Sequence, residues 1–406
     1  KELLSRILRK KHGEVILKNY RMNMAVKAGE NYMSEMYRVH CDYTRPSDSI
    51  ETLHSWTVIV KSMPLTEMRE TLAEFDMFGY EVEMLTNVIP AYSKFTSTAF
   101  AAECFHAFEE PFKFIILEDL KLSNFTSTNR KNGLDYDHCK LLMEKLGKFH
   151  ASSILYTAEN EKKVKTKFES RLFHPNHDNK HMRTFFVNGY LALLSTISER
   201  PDIFSSNLVA KLQNVKESFV AKMADGYQKQ IKVNVITHGD LWVTNIMFKY
   251  DEQTGKPIDV IFVDFPMAFY GSPGVDINCF LNSSLQSDVY REKCKDLIQI
   301  YYNGFHEVLN ENGYKNIPTF EDISNEFKQK LFHGFVISVS LLPLASMEKA
   351  IEDTGEGKQL DAIWDTNEMS SFRQSTYSNV NYLNQLTVET RTFHLYPKLH
   401  PIVFLR

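Results

Sequence analysis

The chain has too few cysteines, in the wrong arrangement, for a fold held together by disulfides or structural zinc. Its 406 residues include five cysteines, and none of them forms a CxxC pair. An odd number of widely spaced thiols disfavours both kinds of cross-link. The pattern is typical of a reducing compartment, so a cytoplasmic location is expected.

Long hydrophobic runs are also missing. The longest covers residues 335–345 and is interrupted by two serines and Pro343, whereas a membrane-spanning helix needs roughly 20 apolar residues. This run predicts a buried core helix, and no membrane span is expected. The first residues, KELLSRILRKKHG, are too charged for a signal peptide.

There is no excess of either charge. The formal net charge is −4, so no basic field favours nucleic acid, and no nucleic-acid partner is expected. A hydrophobic content of 43% in 406 residues allows a large core divided among two or three domains. No internal repeat or low-complexity linker occurs, and only the polar tract 353–375 suggests a long loop.

Secondary-structure patterns change along the chain. The first section predicts a short amphipathic helix ending near Gly13, one longer helix and several strands. The longer helix is expected over 66–88, and the strands over 15–26, 36–44, 55–61, 97–107 and 113–117. The later section predicts helices over 137–156, 182–198, 207–228, 287–312, 320–350 and 378–389. The fold class is therefore α+β.

Residues 237–265 predict a β-hairpin with polar side chains at its open end. The β-branched runs 246–250 and 258–263 flank a turn-forming segment. Asn245 precedes the first strand and Asp264 ends the second, and directly opposed residues have Cα atoms roughly 4.5–5.5 Å apart. Two such oxygen-bearing side chains could hold Mg²⁺. Asp240 lies five residues before Asn245.

The parts required for phosphoryl transfer occur in the expected chain order. That chemistry needs a lysine on a strand, a carboxylate that pairs with it, a catalytic aspartate, and an Asn plus an Asp for Mg²⁺. Lys61 on the third strand and Glu81 on the following helix supply the first two, with Glu83 as a competing carboxylate. Asp240, Asn245 and Asp264 supply the others.

A turn around Gly29 lies between the first two strands. Such a turn can direct backbone N–H groups at an anion, although one glycine between strands is also an ordinary hairpin turn.

Several motifs resemble the ecdysteroid kinase-like (CHK kinase-like) family, a relative of aminoglycoside phosphotransferases and choline kinases. These motifs are FIILEDL, LGKFHASS, HGDLWVTNIMF, VIFVDF and YGSPGVD. The resemblance implies a bilobal protein-kinase-like fold, with a sheet-rich nucleotide-binding lobe over residues 1–120 and a mainly helical catalytic and substrate-binding lobe over 121–406. It also implies ATP- and Mg²⁺-dependent phosphorylation of a small-molecule hydroxyl, with ecdysteroids as the named substrate class.

The resemblance assigns a role to each candidate residue. Asp240 would orient and deprotonate the acceptor hydroxyl, while Asn245 and Asp264 would hold Mg²⁺. Lys61, paired with Glu81, would neutralise phosphate charge. His238 would support the catalytic loop. Further nucleotide contacts would come from a phosphate-covering turn and from an adenine-binding connector, which comprise Gly29, Asn31, Ser34, Glu118 and Leu120.

Three departures from related kinases are visible. The turn has no GxGxxG, Pro266 follows VDF, and Trp242 stands where serine/threonine protein kinases have a lysine. The last difference means that no protein substrate is expected.

Other interpretations remain open from the residues alone. His150 could cap the end of its helix, and Asp276 could cap a helix or tie that helix to the catalytic loop. The acceptor could be a choline-like or xenobiotic alcohol. The chain could also be a pseudokinase or a binder of hydrophobic ligands.

Overall fold

The computed structural model describes residues 1–25, 34–50, 52–63, 76–108, 113–169, 180–228, 232–347 and 370–387. Its first part is rich in β-sheet and its later part is mainly helical, which confirms the predicted α+β class at this level.

Five antiparallel strands form the N-terminal sheet, in the order β1-β2-β3-β5-β4. The strands are β1 (Ile16–Met24), β2 (Glu35–Thr44), β3 (His54–Ser62), β4 (Cys104–Phe108) and β5 (Phe114–Glu118). The predicted strand over 97–107 is wrong in its first half, because residues 97–103 run as irregular chain before β4 begins. The other predicted strands of this section are confirmed.

Helix α1 (Glu2–His12) packs on one face of this sheet. Ile7 and Leu8, on the apolar side of the helix, are buried against strand residues such as Val39 and Val58. The helix ends at Gly13, as predicted.

Helix α2 (Met77–Glu83) follows β3 in the described chain and continues through a π-helical turn (Met84–Val88) into the short α3 (Ile89–Ala91). The helix predicted over 66–88 is confirmed from Met77 onwards, and residues 66–75 of that prediction lie outside the described residues.

The later section contains ten further helices within the described residues. They are α4 (Tyr136–Lys167), α5 (Lys180–Ser198), α6 (Ser206–Val215), α7 (Phe219–Gln228), α8 (Gly274–Ser283), α9 (Ser287–Glu311), α10 (Phe320–Gln329), α11 (Leu331–Ala345), α12 (Ser371–Tyr377) and α13 (Val380–Thr387).

Several helix boundaries differ from prediction. Helix α4 continues eleven residues beyond the predicted end at 156. The predicted helix over 207–228 is divided by a 3₁₀ turn, Lys216–Ser218, and the one over 320–350 is divided at Lys330. The predicted loop over 353–375 is wrong at its end, because α12 begins at Ser371, and residues 353–369 lie outside the described residues.

Short strands lie among these helices. The predicted hairpin is confirmed as β8 (Ile246–Tyr250) and β9 (Pro257–Phe262), and β6 (Phe125–Thr126) adds to the outer edge of β8. A second small sheet pairs β7 (Val235–Ile236) with β10 (Tyr270–Gly271). The residues between these strands form the candidate site.

One large apolar cluster joins α2, α4, the hairpin and α8 to α10. Helix α4 crosses α9 so closely that a Cβ on Gly147 would lie 2.1 Å from the carbonyl oxygen of Tyr301. A second apolar cluster joins α5 to α7 with α11 and the C-terminal helices.

Helix α11 contains the longest apolar run and is buried along almost its whole length, as predicted. Across the described part of the chain, no helix combines the length and the apolar character needed to cross a membrane.

Candidate active site

Lys61 lies near the end of β3 with only 6% of its surface exposed. Its Nζ donates to Glu81 Oε1 at 2.7 Å and to Asp264 Oδ1 at 2.5 Å. The competing carboxylate, Glu83, instead pairs with Lys163 at 2.7 Å. The structure therefore joins Lys61, Glu81 and Asp264, which we call the lysine cluster.

The charge of Lys61 is maintained by its partners. Burial alone would lower the pKa of Lys61, but the carboxylates of Asp264 and Glu81 raise it above its ordinary value. The ammonium group is therefore fully charged near neutral pH, in a place where a free ammonium would be costly.

The backbone brings Asp264 to this position. Ile246 pairs with Phe262, and the N–H of Val263 donates to the carbonyl of Asn245 at 3.0 Å. Asn245 thus lies opposite Val263, and the expectation that it directly faces Asp264 is wrong by one residue. Asp264 lies beyond the ladder with φ at 71°, a left-handed conformation that Asp tolerates better than most residues.

Residues 237–245, which we call the His238 loop, connect β7 to β8. Asp276, near the start of α8, is fully buried and accepts the N–H groups of His238 and Gly239 at 2.6 and 2.9 Å. Its carboxylate also accepts His150 Nε2 at 2.9 Å. Burial would raise the pKa of Asp276, but the hydrogen bond and charge of His150 keep it below the ordinary value.

These contacts decide two open interpretations. Asp276 ties α8 to the His238 loop and does not cap the helix, because the capping position belongs to Pro273. His150 does not end its helix either. It lies inside α4, and its Nδ1 bonds to the hydroxyl of Tyr301 at 2.8 Å.

The His238 loop contains a tight turn at Gly239. Gly239 has φ at 83°, and a Cβ there would lie 1.9 Å from the carbonyl oxygen of Met267, so only glycine fits. His238 Nδ1 faces the N–H of Asp240 at 3.4 Å, and its Nε2 faces the carbonyl of Val263 at 3.1 Å. Burial lowers the pKa of His238, and the two contacts fit a neutral ring with its proton on Nε2.

Asp240 is half-buried and held by Asn245. The Asn245 amide nitrogen donates to both the carbonyl oxygen and Oδ2 of Asp240, each at 2.9 Å. Burial, followed by the charge of Asp264, raises the pKa of Asp240 to about 7, although the hydrogen bond from Asn245 opposes this rise. A carboxylate with such a pKa can exchange a proton near neutral pH.

Of the predicted phosphate turn, Gly29 and Asn31 lie outside the described residues. Ser34 lies beside a small open cavity that reaches Lys61 and Asp264. Met77, Phe78 and Pro266 supply apolar parts of its wall.

Glu118 and Leu120, at the predicted connector, flank a residue that the sequence analysis missed. Asp119 is buried and accepts Arg38 Nε at 2.6 Å and the hydroxyl of Thr57 at 2.7 Å. Burial would raise the pKa of Asp119, but these hydrogen bonds lower it. Arg38 and Asp119 are 81 residues apart, so no local pattern indicates the contact.

The described residues contain no group of three or more His, Cys, Asp or Glu side chains arranged to hold a metal. Two side chains can still each supply an oxygen ligand. The amide nitrogen of Asn245 is directed at Asp240, which leaves Asn245 Oδ1 for another partner. Asp264 bonds to Lys61 through Oδ1, which leaves Asp264 Oδ2. Two protein oxygens suit Mg²⁺, which usually takes its other ligands from water and phosphate.

Comparison with solved structures finds two glucosamine kinase structures, each 10% identical to this chain. The one described as crystal form A covers 80% of this chain and 89% of its own, with a TM-score of 0.31. The other, in complex with glucosamine, ADP and inorganic phosphate, covers 84% and 96%, with a TM-score of 0.30.

No curated protein matches the sequence. The model of the ecdysteroid kinase-like family matches residues 28–314, which is most of the chain and includes the lysine cluster and the His238 loop. The resemblance seen in the sequence is therefore confirmed: the chain belongs to the ecdysteroid kinase-like family and is a small-molecule kinase.

Proposed function

We propose that this kinase uses ATP and Mg²⁺ to phosphorylate a hydroxyl group of a small hydrophobic molecule of the ecdysteroid-like steroid class. The observation that carries the proposal is the lysine cluster, in which Nζ of Lys61 bonds to Glu81 at 2.7 Å and to Asp264 at 2.5 Å. A buried ammonium held between two carboxylates beside a cavity is suited to neutralising phosphate charge.

We further propose that the fold is bilobal and protein-kinase-like, with residues 1–120 as the nucleotide-binding lobe and 121–406 as the catalytic lobe. The five-stranded sheet and the helical section support this division. Adenine would bind at the connector, at Glu118 and Leu120, and the phosphates would lie under Gly29, Asn31 and Ser34.

Asp240 acts as the base in this proposal. As the acceptor oxygen attacks the γ-phosphorus, the bond from that phosphorus to the bridging oxygen of ADP breaks, and the hydroxyl proton passes to the Asp240 carboxylate. Asn245 fixes the carboxylate by bonding to Oδ2 at 2.9 Å. A pKa near 7 suits this limited role.

Asn245 and Asp264 would hold Mg²⁺ through oxygen atoms. The ion, when bound, neutralises charge on the ATP phosphates. Glu81 meanwhile keeps Lys61 directed at the same phosphates, since that bond does not depend on Asp264.

The test is a panel of acceptors incubated with the protein, ATP and Mg²⁺, with phosphorylated products detected by mass spectrometry. The panel contains ecdysteroids, other hydrophobic alcohols, choline and xenobiotic alcohols. The proposal expects transfer to an ecdysteroid-like steroid and its loss in Asp240→Asn. Phosphorylation of choline or a xenobiotic alcohol alone would reject the substrate class.

Equal product yields from wild type and Asp240→Asn with every acceptor would reject catalysis through Asp240 and favour a hydrophobic-ligand binder.

The free thiols support the expected cytoplasmic location, and Trp242 supports the expectation that proteins are not substrates. Both remain predictions.

A further inference from the structure

The last turns of α4 lie against the helix that carries Glu81. Helix α4 departs from helical geometry at Asn160, where φ is −133° and ψ is 27°. The side-chain amide of Asn160 donates to the carbonyl of Tyr156 at 2.9 Å, so it occupies an acceptor of the regular backbone ladder. Such an interruption redirects the turns that follow. We call residues 160–169 the α4 brace.

Two lysines of the brace contact the two ends of α2. Lys163 Nζ lies 2.7 Å from Glu83, the last residue of α2, and Lys167 Nζ lies 2.9 Å from Asp76, which precedes its first residue. Residues four apart on a helix lie on one face. The brace therefore holds α2 at both ends from a single side.

Between these ion pairs, Tyr80 joins α2 to the brace. Its ring lies 5.9 Å from that of Phe168, and its hydroxyl donates to the carbonyl of Glu169 at 3.3 Å. The ammonium of Lys167 lies 5.4 Å from the centre of the Tyr80 ring. Tyr80 is buried and directly precedes Glu81, so these contacts act next to the partner of Lys61.

The brace also contacts the segment after Asp264. The N–H of Tyr270 donates to the carbonyl of Phe168 at 2.7 Å. Tyr270 pairs in turn with Ile236, two residues before His238. The end of α4 therefore contacts both α2, which carries Glu81, and Tyr270, which follows Asp264 in the chain.

We propose that the α4 brace holds Glu81 against Lys61, and that Lys163 and Lys167 are positioning residues for nucleotide binding. The inference rests on the proposed role of Lys61 and Glu81. The helical run that begins with α2 continues to Ala91 and has 15 residues, and an isolated helix of about this length is only marginally stable without contacts to its surroundings. The brace supplies such contacts at both ends of α2 and at Tyr80.

Substitution of one of these lysines is expected to have a modest effect on the placement of α2, and substitution of both a measurable effect. An exposed or half-exposed ion pair contributes at most about a fivefold factor to an equilibrium. Loss of both pairs is therefore expected to change the equilibrium constant between correctly placed and displaced α2 by about tenfold.

The test compares the double variant Lys163→Met/Lys167→Met with the matched control Lys165→Met. Lys165 lies in the same turns but pairs with Glu161 at 2.5 Å, within α4. Without nucleotide, we expect hydrogen exchange of the amides in residues 77–91 to be about tenfold faster in the double variant and unchanged in the control. The KM for ATP should rise by at most the same factor, because apparent affinity scales with the fraction of protein in which α2 is correctly placed, while the KM for the acceptor stays constant.

Charge exchange provides a rescue. Lys163→Glu should weaken ATP binding more than Lys163→Met, because it places two carboxylates together, and addition of Glu83→Lys should restore it. A merely structural role would not separate the two KM values.

Unchanged hydrogen exchange in the double variant would show that the brace does not hold α2 in place. Faster exchange with an unchanged KM for ATP would overturn its positioning role. If the wild-type protein binds no ATP, the proposed function fails, and hydrogen exchange still decides whether the brace holds α2.

Discussion

The lysine cluster and the His238 loop lie side by side but are assembled in different ways. The cluster joins three distant segments, since Lys61 is 20 residues from Glu81 and 203 from Asp264. The loop is one continuous segment, in which the N–H groups of His238 and Gly239 are both anchored by the buried carboxylate of Asp276. The cluster depends on how segments are placed relative to one another, whereas the turn at His238 and Gly239 depends on Asp276.

Because of this difference, substitutions in the two regions should affect different properties of the protein, namely folding and ligand binding. An anchor that satisfies buried backbone groups cannot be lost without leaving them unpaired. A side chain of the cluster can be replaced with less harm, provided that Lys61 keeps one carboxylate partner. We therefore expect changes at Asp276 to affect folding first, and changes at Asp264 to affect ligand binding first.

The largest effect is expected for Asp276→Ala. The change removes the acceptor of two buried N–H groups and of His150, and should lower the free energy of unfolding by about 3–5 kcal/mol. Urea denaturation measures the loss. The control is Asp202→Ala, which breaks an exposed pair with Arg200 at 2.9 Å and should change the free energy of unfolding far less. Equal losses in the two variants would contradict the anchoring role.

Asp264→Asn tests the other side of the comparison. Asn favours the left-handed conformation found at this position, and Lys61 keeps its bond to Glu81, so the free energy of unfolding should change little. Mg²⁺-dependent ATP affinity, measured by calorimetry, should fall about 100-fold, because a charged ligand of the ion is lost. Unchanged affinity would reject the magnesium assignment.

Gly239→Ala should destabilise the folded conformation of the His238 loop. The added Cβ would meet the carbonyl oxygen of Met267 at 1.9 Å, on a backbone with φ at 83°. Left-handed conformation alone costs an alanine about 1–2 kcal/mol, and the clash adds to this cost. The matched control is Gly255→Ala, where φ is 66° but nothing lies within 4 Å. Similar losses of thermal stability in both variants would show that the contact with Met267 is unimportant.

The smallest effect concerns pH and His238. Burial lowers the pKa of this ring, so the unfolded chain binds the proton more readily than the folded chain. The contribution of a neutral His238 to stability is present above the unfolded pKa of about 6.5 and is lost as pH falls below it, by at most about 1.4 kcal/mol per pH unit.

His238→Gln should reduce the slope of unfolding free energy against pH between about pH 6.5 and 5. The control is His54→Gln, because the side chain of His54 is 30% exposed and pairs with Asp48 at 2.8 Å. A slope that is identical in wild type and His238→Gln would contradict the buried, neutral state of the ring.

Local features of the site could be predicted from the sequence. The hairpin follows from two β-branched runs with turn residues between them. The residues Lys61, Glu81, Asp240, Asn245 and Asp264 match, in type and order, the parts that kinases use for phosphoryl transfer. Family motifs supplied the remaining assignments.

Long-range and single-residue features could not be predicted. A positive φ at Asp264 has no sequence signal, because such conformations are typical of glycine. The register that places Asn245 opposite Val263, one residue from the expected Asp264, could not be read from the sequence either. The end of α4 contains many charged residues, including Lys163 and Lys167, and is therefore typical of exposed chain. Its packing becomes visible only when Asp76 and Glu83 lie beside it.

The carboxylate of Asp119 links two strands of the N-terminal sheet to the chain that leaves it. It accepts hydrogen bonds from Arg38 on β2 and from Thr57 on β3. It also accepts the N–H of Lys121 in the 3₁₀ turn Leu120–Ser123 that follows. Loss of this one side chain would therefore remove contacts of both strands and of the turn at once.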